Sequence, residues 1–289
     1  MSRIKIKLAK TAGFCMGVRR AIEIALSMAQ SKGAEDVYTY GPLIHNPQAV
    51  DFLSEKGIKP VDDLEKIGGG SIIIRAHGIS PEERGKIEKT GMRIIDATCP
   101  KVKHVQSIIR RHSLEDYEIL IIGDREHPEV EGLLGCANGR GIVIGAHDDL
   151  KSIPCFKKLC IVAQTTQSKD EYVKIAKEVA EKNPGCLVFK TICDSTERRQ
   201  AEIKELAAEM DAIFIVGGRN SANTKRLAKV AESCGKPTFH IETASEIRDI
   251  PLHQFNSIGI SAGASTPKWI IKEIIDELNR TCEASSPLT

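Results

Sequence analysis

The chain has 289 residues, 41% of them hydrophobic, with 41 Lys and Arg against 39 Asp and Glu and a formal net charge of +2. That much apolar material builds real cores, which excludes a disordered chain and leaves room for two or three small domains or one large one. Near-neutral, mixed charge excludes an electrostatic footprint for nucleic acid, and no apolar run approaches the roughly 20 residues of a membrane span, so a small-molecule partner is expected.

The opening segment MSRIKIKLAK alternates like a strand and lacks the apolar stretch of a signal peptide, which predicts a cytoplasmic protein. Beyond it, short apolar runs lead through loops into helical patterns, the rhythm of parallel α/β architecture. Three kinds of loop recur in fixed order. In the first third, Cys15 stands at the turn into a helix, Gly41 is followed four residues later by His45 in GPLIH, and Ala76 opens AHGISP with His77. In the second, the same places are taken by Cys99, by Gly123 to His127 in GDREH, and by Ala163 in AQTTQS with Thr165. The last third has Cys193, then Gly217 to Ser221 in GGRNS with Ala222 and Asn223 beyond, then Ala262 in AGASTP with Ser265.

From each cysteine the second loop lies 30, 28 and 28 residues on, and the third loop's alanine 61, 64 and 69. Regularity over three copies marks an internal repeat. It divides the chain into α/β domains at 13–97, 98–192 and 193–281, with the strand at 1–12 joining the third and a tail at 282–289. Loops at the carboxyl ends of parallel strands are where such sheets bind ligands, so a pseudo-threefold arrangement would bring the three cysteines to one cavity.

Nine cysteines is an odd count without the density of a disulfide framework. Cys136, Cys155, Cys160, Cys186, Cys234 and Cys282 read as ordinary small hydrophobes. Three converging thiolates at Cys15, Cys99 and Cys193 suit an iron–sulfur cluster or zinc, and a cubane with three ligands keeps one iron open. The histidines, hydroxyls and amide of the other loops offer neutral donors at helix N-termini, which favour phosphate-sized anions. Neither GxxxxGK[ST] nor GxGxxG occurs, so the usual nucleotide sites are not expected. Glu129, two residues after His127, is either a general acid beside the anion or a first-turn acid that favours its helix.

Two rivals compete. His127 and Glu129 form an H-x-E with Cys155 downstream, as in zinc deaminases, but the next cysteine is Cys160 where C-x-x-C is needed. An iron–sulfur sensor would use the cysteines and leave the histidine and hydroxyl loops unexplained.

The segments AGFCMGVRRAI, LIHNP, RAHGIS, DATCPKV, GDREHPEVEG, AQTTQS, TICDSTERRQ, GGRNSANTKRL and SAGASTP together resemble the motif set of the 4-hydroxy-3-methylbut-2-enyl diphosphate reductase family, from about residue 9 to residue 275. The resemblance implies a trefoil of three α/β domains around one [4Fe-4S] cluster, with Cys15, Cys99 and Cys193 as ligands. It implies that His45, His77, His127, Ser221, Asn223 and Ser265 hold the substrate diphosphate. Thr165 would lie near the allylic hydroxyl, with Glu129 delivering protons. Ala222 stands where some members have serine, which leaves a backbone N–H at that place. The implied products are isopentenyl and dimethylallyl diphosphate. No flavin or NAD motif is visible, so an external one-electron donor of the ferredoxin or flavodoxin type is implied.

Overall fold

The computed structural model describes residues 4–30, 36–145, 148, 150 and 153–284. In chain order the elements begin with β1 (Lys5–Leu8), α1 (Met16–Ala29), β2 (Val37–Tyr40), α2 (Pro47–Glu55), β3 (Ile58–Val61), β4 (Ser71–Ile74), α3 (Pro81–Lys89) and β5 (Arg93–Asp96). They continue with α4 (Pro100–Leu114), β6 (Glu118–Ile122), α5 (Pro128–Gly135), β7 (Gly141–Ile144), β8 (Leu159–Ala163), α6 (Lys169–Lys182) and β9 (Leu187–Val188). The rest is α7 (Asp194–Glu209), β10 (Ala212–Val216), α8 (Ala222–Ser233), β11 (Thr238–Ile241), β12 (Ser257–Ala262) and α9 (Lys268–Ala284). Helix α9 therefore runs on into the segment expected as a tail, whose residues 285–289 lie outside those described, as do residues 1–3 of the expected first strand.

The protein is α/β, with three four-stranded parallel sheets. Their strand orders are β5-β4-β2-β3, β9-β8-β6-β7 and β1-β12-β10-β11, the same order three times. In the last sheet the N-terminal strand β1 pairs with β12, Lys5 opposite Ser257 through Leu8 opposite Ile260. The described structure forms two compact units. One comprises residues 1–16, 45–49 and 194–289; the other comprises 17–44 and 50–193.

Strands apolar on both faces explain why two of these sheets carry helices on both faces. In β6 and β8, Ile119, Ile121, Cys160 and Val162 pack on one side with Val105, Ile109, Val130 and Leu133, while Leu120, Ile122, Ile161 and Ala163 pack on the other with Ile175 and Val179. Strand β10 divides likewise: Phe214 and Val216 join Ile274 and Leu278, whereas Ile213 and Ile215 join Leu206 and Leu227. Strands apolar on both faces read as continuous runs, which is what parallel, doubly covered sheets require.

The repeated order also locates function. In each sheet the first strand (β2, β6 or β10) has its successor on one side and the following strand (β4, β8 or β12) on the other, so the order reverses between them. Loops at the carboxyl ends of strands flanking such a reversal form the binding crevice of open α/β sheets. The second and third loop types are those loops.

Gly217, at the end of β10, shows how tightly one such crevice is built. Its φ is +142°, and a Cβ there would run into the hydroxyls of Thr266 and Thr224. Gly217→Ala is expected to cost about 1–3 kcal/mol from strain and contact together, seen as a lower urea midpoint. Gly235→Ala, at a left-handed position with open space around it, should lower the midpoint less.

Candidate active site

Each of the three cysteines singled out by the repeat immediately precedes a helix: Cys15 before α1, Cys99 before α4 and Cys193 before α7. All three are half-buried. Each follows an edge strand (β1, β5 or β9) that lies beside the strand bearing the third loop type. That adjacency produces one hydrogen bond three times over. The amide of Cys15 donates to Ala264 O at 3.1 Å, that of Cys99 to Ala76 O at 3.0 Å and that of Cys193 to Thr165 O at 2.9 Å. Each thiol thus stands on a backbone tethered to the neighbouring loop, at a helix start whose N–H groups favour an anionic ligand atom.

The remaining six cysteines sit differently. Burial pushes the Cys160 thiol up to about 12, helped by Cys186, and it raises Cys136 and Cys186 as well. Cys155 and Cys234 are exposed and donate Sγ–H to Lys182 O and Val230 O. Cys282 packs against the core around β12. Thiols held protonated or turned to a carbonyl make poor metal ligands.

The second loop type ends in a helix cap. His127 caps α5, its Nδ1 accepting from Glu129 N at 3.1 Å. An accepting Nδ1 carries no hydrogen, so the neutral ring bears it on Nε2, as a donor. Ser221 caps α8, its Oγ accepting from Thr224 N. In the first loop this place belongs to Asn46, whose Oδ1 accepts from Ala49 N at 2.9 Å. His45, matched to His127 by counting from glycine, stands one residue further from its helix. The loop from Gly41 is one residue longer, and glycine spacing alone could not register that; the following Pro47, favoured at the first helical position, is the signal that could have.

His45 is nonetheless joined to the other candidates of its unit. Its carbonyl accepts from Ser265 Oγ at 3.1 Å, and it lies over Gly218, where a Cβ would approach that oxygen to 3.0 Å. Ala222 and Asn223 form the buried first turn of α8. The Nδ2 groups of Asn223 and Asn46 are buried and make no hydrogen bond. Such orphaned donors are costly unless a ligand or water meets them.

In the other unit, the rings of His77 and His127 meet edge to face with centroids 5.5 Å apart. Glycines on α5 permit this approach: a Cβ on Gly132 would press on the Ile79 backbone and one on Gly135 on Ser80. Glu129 is 2% exposed. Although it lies in the first turn of α5, its carboxylate reaches across to the β8 loop. Oε1 accepts from Thr165 N at 2.6 Å and Oε2 from Thr165 Oγ1 at 2.8 Å. The same Thr165 carbonyl receives the Cys193 amide, so Glu129 and Cys193 are anchored on one residue. A dipole-only role would have left Glu129 at its own helix end.

A family model described as LytB protein matches residues 6–279. A 4-hydroxy-3-methylbut-2-enyl diphosphate reductase of Geobacter sulfurreducens is 43% identical over 275 residues, covering 95% of this chain and 97% of that protein. One of Alkaliphilus oremlandii is 42% identical over 278 residues, covering 96% and 99%. Among solved structures, the E-1-hydroxy-2-methyl-but-2-enyl-4-diphosphate reductase from Plasmodium falciparum superposes with a TM-score of 0.88 at 28% identity, over 95% of this chain and 88% of that one. A second, (E)-4-hydroxy-3-methyl-but-2-enyl diphosphate reductase, gives a TM-score of 0.68 at 39% identity, over 96% and 99%. The protein is an oxidoreductase, and with matches of this extent the chain belongs to the LytB protein family.

Proposed function

We propose that this chain reductively removes the hydroxyl of (E)-4-hydroxy-3-methylbut-2-enyl diphosphate to give isopentenyl and dimethylallyl diphosphate. The relatives bear the name of that diphosphate's reductase. The observation that carries the reading is the threefold placement of Cys15, Cys99 and Cys193, each at a helix start and each tethered through its amide. Soft thiolate donors suit iron–sulfur chemistry, and a donor set of three fits a [4Fe-4S] cluster with one iron left for substrate. When bound, such a cluster supplies single electrons and a Lewis-acidic iron.

The overall change consumes two electrons and two protons and releases water, R–OH becoming R–H. An external one-electron donor of the ferredoxin or flavodoxin type supplies the electrons. Protons pass through Glu129. Its Oε2 and Thr165 Oγ1 share one hydrogen, so a proton held on Oε2 reaches an oxygen bonded to Thr165 Oγ1 in a single relay. Burial of Glu129 keeps bulk water from short-circuiting that path. The diphosphate is held by neutral donors: His127 through Nε2–H, with His45, His77 and Ser221, the amide of Asn223, the Ala222 backbone N–H at the start of α8, and Ser265 once its hydroxyl turns from His45 O to the anion.

Four experiments test the reading. Protein purified without oxygen is expected to carry about four irons and four sulfides per chain; stoichiometric zinc would overturn it. Cys15→Ser, Cys99→Ser and Cys193→Ser should each deplete the iron, whereas Cys234→Ser should not, and equal loss in all four would mean the wrong cysteines were chosen.

Glu129→Gln preserves shape and an acceptor for Thr165 but cannot deliver a proton. Single-turnover product formation from a chemically reduced sample should fall by roughly 10²- to 10⁴-fold, with iron content unchanged. A wild-type rate would remove Glu129 from proton transfer.

For the anion site, Asn223→Ala removes an orphaned donor without touching a cysteine. Inhibition by pyrophosphate should weaken by about tenfold or more, in line with the roughly 1.5–3 kcal/mol of a hydrogen bond to a charged group. Unchanged inhibition would place the diphosphate elsewhere.

A further inference from the structure

Two arginines that follow candidate cysteines have no part in the chemistry above, yet both reach a cysteine loop. Arg199, in α7, is 3% exposed and spreads its guanidinium between two backbone carbonyls. Its Nη2 donates to Gly13 O at 2.6 Å and its Nη1 to Ala262 O at 2.9 Å. Gly13 lies two residues before Cys15. Ala262 lies two residues before Ala264, the acceptor of the Cys15 amide. The fork therefore joins the two stretches of chain that hold Cys15 between them. Gly13 has φ +100°, a conformation L side chains rarely adopt, and this turns its carbonyl to the arginine.

At Cys99 a single bond takes the place of the fork. Arg20, in α1, donates from Nη1 to Thr98 O at 3.3 Å, and Thr98 is the residue before Cys99. Ahead of Cys193 a hydroxyl plays the corresponding part: Thr191 Oγ1 donates to Ala163 O and accepts from Ala163 N.

Filling space does not account for Arg199. A guanidinium cannot shed its proton, and burying it is costlier than burying an apolar side chain of similar volume. What it adds is a rigid planar fork that sets the separation of two carbonyls.

We propose that Arg199 is a positioning residue for Cys15, and Arg20 its counterpart for Cys99, each fixing the loop from which the thiol projects and so how firmly a bound cluster is retained. The retention part rests on the cluster reading above. Residues that orient metal ligands typically change affinity by about 10- to 100-fold when altered.

Arg199→Lys retains the charge but ends in one ammonium that cannot span both carbonyls. The variant is expected to keep the wild-type far-UV circular dichroism and to lose iron to excess chelator at least about tenfold faster than wild type. In the cluster-free chain, Cys15 should react faster with iodoacetamide, while Cys193 of the same molecule keeps its wild-type rate. Unchanged iron release or unchanged Cys15 alkylation overturns the inference. Alkylation is read without iron, so a wild-type protein that takes up no cluster sinks the cluster reading while the positioning of Cys15 is still measured. If Arg199→Lys does not fold, Arg20→Met, which removes the one hydrogen bond to Thr98 O at a half-buried residue, carries the test: Cys99 must then alkylate faster, and an unchanged rate overturns the proposal.

Discussion

The pairing of a cysteine-bearing edge strand with the strand of the third loop is the constraint on which the site depends. Because β1, β5 and β9 lie parallel to β12, β4 and β8, their chains emerge side by side from the same end of each sheet. A single amide-to-carbonyl bond then suffices to place each cysteine. The helix that begins at the residue after each of these cysteines carries the chain on to the next sheet, α1 from β1 to β2, α4 from β5 to β6 and α7 from β9 to β10. The placement of these cysteines is thus a property of sheet topology.

Around this frame the polar groups are fixed by bonds to backbone and neighbouring side chains. His127 uses Nδ1 to cap its helix, which commits Nε2 to donation. Ser221 accepts a backbone N–H with its oxygen and keeps its own hydrogen to donate. Glu129 takes both hydrogens that Thr165 can offer, and Thr165 also carries the tether of Cys193. The cap of α5, the Glu129 carboxylate and the backbone of Cys193 are consequently linked within a few residues of β8 and α5.

The rival explanations lose ground on particular atoms. Cys160, needed by a deaminase-like zinc site, is buried in β8 with its thiol held protonated. A first-turn acid that merely favoured its helix would have no cause to reach Thr165, as Glu129 does. A sensor would not require orphaned amides of the kind found at Asn46 and Asn223.

The sequence by itself determined the α/β class, the threefold recurrence and the identity of most candidate residues, because apolar periodicity and the spacing of glycine, cysteine and alanine are local and survive in one dimension. The ranking of the cysteines was legible for the same reason: a repeated position outweighs a solitary one. Tertiary structure alone decided the rest. That β1 completes the sheet of β12, some 250 residues away, depends on strand pairing, which a linear reading can only suppose. Asn46 rather than His45 holds the capping place because a helix start is set by backbone hydrogen bonds and not by distance from a glycine. Arg199 looked like any charged residue on a helix; only the fold brings Gly13 and Ala262 within reach of its fork, since the partners of a buried cation are chosen by packing in three dimensions.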